Sequence, residues 1–96
     1  MKILAMEKGT PGVKSDQFAP HLKPEAKRVW ELIQSGVIRE AYFRGDCSNA
    51  VLILECPTLD AAARELSSLP LVNSGLISFD LITLIPYPGF ARLFTG

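Results

Sequence analysis

The 96-residue chain has one histidine, two cysteines, one tryptophan and no long apolar run. One imidazole and two separated thiols give no metal-ligand spacing. There is also no glycine-rich phosphate loop and no nucleophile constellation around Ser67, Ser68, Ser74 or Ser78. The expectation is a protein that uses no metal and no cofactor. A disulfide is equally unexpected. Cys47 falls in a loop and Cys56 at the far end of the following strand, a separation of about 20 Å, whereas a bridge needs Cα atoms within about 7 Å. Reduced thiols suit a reducing compartment. The opening MKILAMEKGT has only a short apolar run before Glu7, too short for a signal-peptide core or a membrane span. The chain is therefore expected to be soluble and cytoplasmic, with no membrane partner. Charge of one sign is missing too: ten basic residues balance ten acidic ones without blocks. No field gathers phosphate backbones, so nucleic acid is not expected as a partner.

What is present is apolar surface. Hydrophobic residues make up 48% of the chain, yet a domain of this length buries only about 60–70% of its unfolded surface. If compact, its radius of gyration would be roughly 12–13 Å. Something besides its own core is expected to cover part of it.

Residues 1–96 read as a single domain. Lys2 to Glu7 forms a first strand closed by the turn signal Gly9-Thr-Pro-Gly12. Phe18, Leu22, Ala26, Val29 and Ile33 recur at helical spacing, and Gly36 follows as a C-cap candidate. In FAPHLKPEA (18–26), Pro20 and Pro24 flank the histidine; proline disfavours helix at the residue before it. The spacing predicts a separate turn over 18–23 and a regular helix from Pro24. Val37 to Arg44 and Ala50 to Cys56 read as two strands joined by the loop 45–49. Thr58 caps a second helix that ends at Pro70, and Ile77 to Ile85 is a last strand. The order βαββαβ is the ferredoxin-like α+β plan: a four-stranded antiparallel sheet with two helices on one face.

A sheet with one wet face should alternate apolar and polar residues. Ala50-Val-Leu-Ile-Leu54 is apolar on both faces, and Leu81-Ile-Thr-Leu-Ile85 nearly so. A second copy of the chain is the natural cover, which predicts a homodimer with a cleft for a small-molecule ligand between two sheets.

This element order, with ELIQSG (31–36), the arginine-bearing VIREAYFR (37–44) and LSSLPL (66–71), resembles the muconolactone isomerase family of dimeric α/β-barrel, ferredoxin-like proteins. The resemblance implies homodimers that assemble further, and a cofactor-independent isomerase that shifts a double bond in an unsaturated lactone. Related folds also host cofactor-free oxygenation of small aromatics. A non-catalytic ligand-binding or structural homo-oligomer is the rival class.

Candidate site residues follow from register. Pairing across a five-residue loop would set Tyr42 opposite Leu52, Glu40 opposite Leu54 and Arg39 opposite Glu55 as a cross-strand ion pair. Glu40, Tyr42 and Arg44 would then share the cleft face with Leu52 and Leu54. There a carboxylate or His21 could act as base, Tyr42 as hydrogen-bond donor and Arg44 as carboxylate anchor. Two alternatives stand beside this: an intersubunit Glu40–Arg44 pair, and His21 as a surface or capping residue. In the tail 86–96, prolines forbid a continued strand while Tyr87, Phe90, Leu93 and Phe94 are apolar. The tail is expected to pack on the barrel or a neighbouring subunit, with Tyr87 or Phe90 placed to close the pocket.

Overall fold

The computed structural model describes residues 1–95. Their order is β1 (Lys2–Gly9), α1 (Leu22–Gln34), β2 (Ile38–Phe43), β3 (Ala50–Glu55), α2 (Leu59–Ser67), a short α3 (Pro70–Asn73) and β4 (Ile77–Leu84), with single-turn 3₁₀ segments at Ser15–Gln17 and Ala19–His21. All neighbouring strands pair antiparallel in the order β2-β3-β1-β4. This is the ferredoxin-like α+β arrangement expected from the pattern.

The helix boundaries have local causes. The 3₁₀ turn ends at His21 and α1 begins at Leu22, two residues before the expected start. Pro24 then sits in the first turn of α1, where its missing N–H has no intrahelical partner to lose. Thr58 caps α2 by accepting from the Ala61 amide at 3.0 Å. Gly36, at φ +85°, lets the chain leave α1 in a left-handed conformation that a side chain would disfavour.

The core lies between the helices and one face of the sheet. Ile3, Ala5, Leu52 and Leu54 from the strands meet Leu32, Ala62, Leu66 and Leu69 from the helical layer, all buried. Each fully buried leucine or isoleucine among them contributes roughly 1.5–3 kcal/mol.

The β2–β3 register differs from expectation. Phe43 pairs with Ala50, Tyr42 with Val51, Ala41 with Leu52 and Glu40 with Ile53, and an irregularity between Ile38 and Glu40 restores Ile38 opposite Leu54. The Arg44 amide donates to the Asn49 carbonyl at 2.9 Å, so the hairpin closes one residue tighter than the five-residue reading. A one-residue slip exchanges the faces. Leu52 and Leu54 point into the helix-covered core, and Glu40 and Tyr42 share the opposite face with Val51 and Ile53. The expected Arg39–Glu55 pair does not form: Arg39 donates to the Gly36 carbonyl at 2.7 Å, and Glu55 takes the N-terminal ammonium at 2.7 Å.

The far face of the sheet carries Leu4, Met6, Val51 and Ile53, half-buried, with Ile82 and Leu84 exposed. No helix among the described residues covers it. Past Leu84 the chain departs from the body. A 3₁₀ segment, Pro88–Phe94, follows, and Ile85, Tyr87, Phe90, Leu93 and Phe94 are all exposed. This arm explains why the radius of gyration is 15.8 Å and the longest extent 59 Å, well beyond a compact chain of this length. The arm is not featureless. Tyr87 and Phe90 meet edge to face at 5.0 Å, Gly89 is buried beneath the Tyr87 ring, and Tyr87, Phe90 and Leu93 recur at the three-residue period of a 3₁₀ helix.

Candidate functional site

Between α1 and the covered face of the sheet the structure opens a cavity of about 430 Å³, within the size range of small-molecule sites. It lies on the helix side, whereas the sequence reading expected a cleft between sheets. From α1, Leu22, Glu25, Ala26, Val29, Trp30 and Ile33 line it. The sheet contributes Glu7, Ala41, Tyr42, Phe43, Ala50, Leu52, Ile77 and Phe79, and the turn into α3 adds Leu69 and Leu71. Trp30 and Phe43 are largely exposed, so the mouth opens between α1 and edge strand β2. A second chamber of about 470 Å³ adjoins it under the 10–18 loop; it shares Glu7, Leu22, Phe43 and Leu71 and adds Thr10, Ser15, Ser48 and Asn49.

Two carboxylates interrupt the apolar wall. Glu25 is half-buried and accepts the Leu71 amide hydrogen at 2.9 Å. Burial pushes its pKa above the usual carboxylate value. The Leu71 hydrogen bond opposes that push, Glu7 adds to it, and His21 opposes it. Glu7, at the junction of the two chambers, accepts the Ala50 amide hydrogen at 2.9 Å. In each case one carboxylate oxygen is held by a backbone amide, and the other has no protein donor among the described residues.

The sequence-predicted residues scatter around this cavity. His21 is half-buried at the entry to α1, one helical turn before Glu25. Leu52 lines the cavity and Leu54 lies behind it in the core. Tyr42 borders the cavity from the β2 edge, but its hydroxyl donates to Glu40 Oε1 at 2.7 Å on the exposed face. That bond, with the Glu40 charge, raises the phenol pKa. Arg44 is engaged by Asp46 through two hydrogen bonds at 2.9 and 2.6 Å in the exposed hairpin loop. It pairs with Asp46 and not with Glu40. Tyr87 and Phe90 stand on the arm, and neither lines the cavity.

Glu7 and Glu25 are the residues the sequence reading passed over, although signals for both exist. Glu25 sits three residues after Leu22 and four before Val29, on the apolar stripe of the helix. Glu7 continues the alternation of buried Ile3 and Ala5 along β1. An acidic residue at a core-facing position is the informative exception to burial rules.

No family model and no curated protein sequence matches the chain. Solved structures do. Muconolactone isomerase superposes with a TM-score of 0.74 at 16% identity, covering 92% of this chain and 92% of that one. The 5-chloro-2-hydroxyhydroquinone dehydrochlorinase of Burkholderia phenoliruptrix AC1100, in complex with 2,5-dihydroxybenzoquinone, superposes with a TM-score of 0.66 at 16% identity, covering 93% of this chain and 98% of that one. The chain has the muconolactone isomerase-like, ferredoxin-like α+β fold.

Proposed function

We propose that the protein is a small enzyme that moves a proton on a small, largely apolar carbonyl compound without a cofactor, with Glu25 as the base. One observation carries this reading: a half-buried carboxylate of raised pKa, with one oxygen fixed by the Leu71 amide, in the wall of an otherwise apolar cavity. A base poised nearer neutrality than an ordinary carboxylate is what proton abstraction beside a carbonyl requires. In this scheme the free Glu25 oxygen removes a proton from the carbon next to the carbonyl. The resulting enolate points its oxygen toward the hydroxyls and amide of the second chamber, and the Glu25 carboxyl returns the proton at a conjugated carbon. That is a double-bond shift, the isomerase chemistry suggested by the resemblance. His21, one turn away, exchanges the proton with solvent.

The same reading includes a homodimer. The bare apolar far face supports face-to-face packing of two sheets, with Glu40 and Tyr42 at the seam. The exposed aromatic arm supports packing of the tail on a neighbouring subunit, since its apolar stripe has no partner in its own chain. Ligand binding without turnover is the second reading, and one feature favours it: the Glu25–Leu71 bond is also a cap for the first turn of α3. Deuterium incorporation from D₂O into unsaturated lactones and enolisable ring ketones, followed by NMR with wild type and Glu25→Gln, separates them. Exchange that depends on Glu25 supports the enzyme; no exchange with any compound that binds removes it.

A further inference from the structure

The two chambers also bear on the charge of the ligand. We infer that the site takes an uncharged ring compound carrying hydroxyl or enol O–H groups and excludes an anionic acid; this rests on the proposal that the cavity is the functional site. The ionisable side chains with carboxyl groups lining either chamber are Glu7 and Glu25, and no Lys, Arg or His lines them. The cation expected to anchor a carboxylate, Arg44, is already held by both oxygens of Asp46. A ligand carboxylate would therefore enter an apolar space facing two like charges, with no counter-ion to offset its lost hydration.

A neutral hydroxylated ring meets complementary groups. Each glutamate keeps one carboxylate oxygen free to accept an O–H, because the other is bound to a backbone amide at 2.9 Å. The first cavity offers the flat apolar surfaces of Trp30, Phe43 and Phe79 for the ring face. Glu7 at the junction and the second-chamber hydroxyls of Ser15 and Ser48 receive the polar edge. An ammonium group fits less well than a hydroxyl. It brings three donors where each glutamate offers one free oxygen, and Glu25 stands in a largely apolar wall.

The test uses three para-substituted phenols of matched size and different charge: 4-(hydroxymethyl)phenol, 4-hydroxybenzoate and 4-(aminomethyl)phenol, titrated calorimetrically into the full chain at neutral pH. The neutral probe is expected to bind at least about tenfold more tightly than the benzoate. Glu7→Gln, which keeps an acceptor for the Ala50 amide, is expected to narrow that gap while the variant stays folded by circular dichroism. Equal or tighter binding of the benzoate overturns the inference. So does tighter binding of the ammonium probe, a gap unchanged in Glu7→Gln, or failure of all three to bind at millimolar concentration. Charge discrimination without proton exchange would remove Glu25 as base and leave the ligand class standing; proton exchange on carboxylate substrates would do the reverse.

Discussion

Replacing Glu25 by Gln separates catalysis from structure, because the amide oxygen of Gln can still accept the Leu71 hydrogen that Glu25 accepts at 2.9 Å. What is lost is the basic oxygen. General-base catalysis contributes about 10²–10⁴ in rate, roughly 3–5 kcal/mol of barrier, so solvent-exchange rates should fall by that factor. Unfolding, by contrast, should show little loss. Glu25→Ala should lose both: the Leu71 amide is left unpaired at a cost of about 1–3 kcal/mol, and the rate falls as in Glu25→Gln. The pH profile adds an independent sign. Burial raises the Glu25 pKa in the folded chain above its ordinary 4.5, so the folded state holds this proton more tightly than the unfolded state does. The stabilisation is present below 4.5 and is lost as pH rises through the raised value. Wild type should therefore fall in stability relative to Glu25→Gln across that window, measured by urea unfolding at a series of pH values. Exchange rates within twofold of wild type in Glu25→Gln, or a rate loss that matches its loss of stability, would refute the reasoning.

Three further outcomes are expected. Ile53→Glu places a charge in the middle of the bare sheet face, and light scattering should show a monomer where wild type is expected to be a dimer; a wild-type monomer at micromolar concentration would contradict the proposed face-to-face packing. Truncation after Ile85 removes the arm, whose large side chains are exposed, so the body should unfold at an unchanged urea midpoint when monomeric, while assemblies larger than a dimer are lost on a sizing column. Thr58→Ala removes the acceptor held at 3.0 Å by the Ala61 amide and should cost about 1 kcal/mol in urea unfolding, without changing ligand binding.

Much of the fold was legible because its signals are local. The stripe of α1, the Thr58 cap, the turn glycines and the alternation along β1 each involve residues within a turn or a strand of one another, and they placed the elements to within about two residues. The Pro20–Pro24 stretch correctly separated a short turn from a helix, although the helix starts at Leu22. The β2–β3 register was the costly miss. A single residue of loop length moved Leu52 and Leu54 from the expected cleft face into the helix-covered core, while Glu40 and Tyr42 keep the far face beside Val51 and Ile53. Arg44 shows the same limit: its partner Asp46 is two residues away, in a loop whose conformation no periodicity describes.

Sequence alone determined the order and type of the four strands and two long helices, the two-sided apolar strands and a tail too apolar for water, since these follow from side-chain period and from where proline and glycine interrupt it. Only the tertiary structure brought the candidate site together. Glu25 meets the Leu71 amide across 46 residues of chain, and Glu7 meets the Ala50 amide across 43. Contacts of that range depend on how α1 meets α3 over one sheet face and on β3 pairing beside β1. Burial there, rather than any motif, is what turns two ordinary glutamates into candidate acid–base groups.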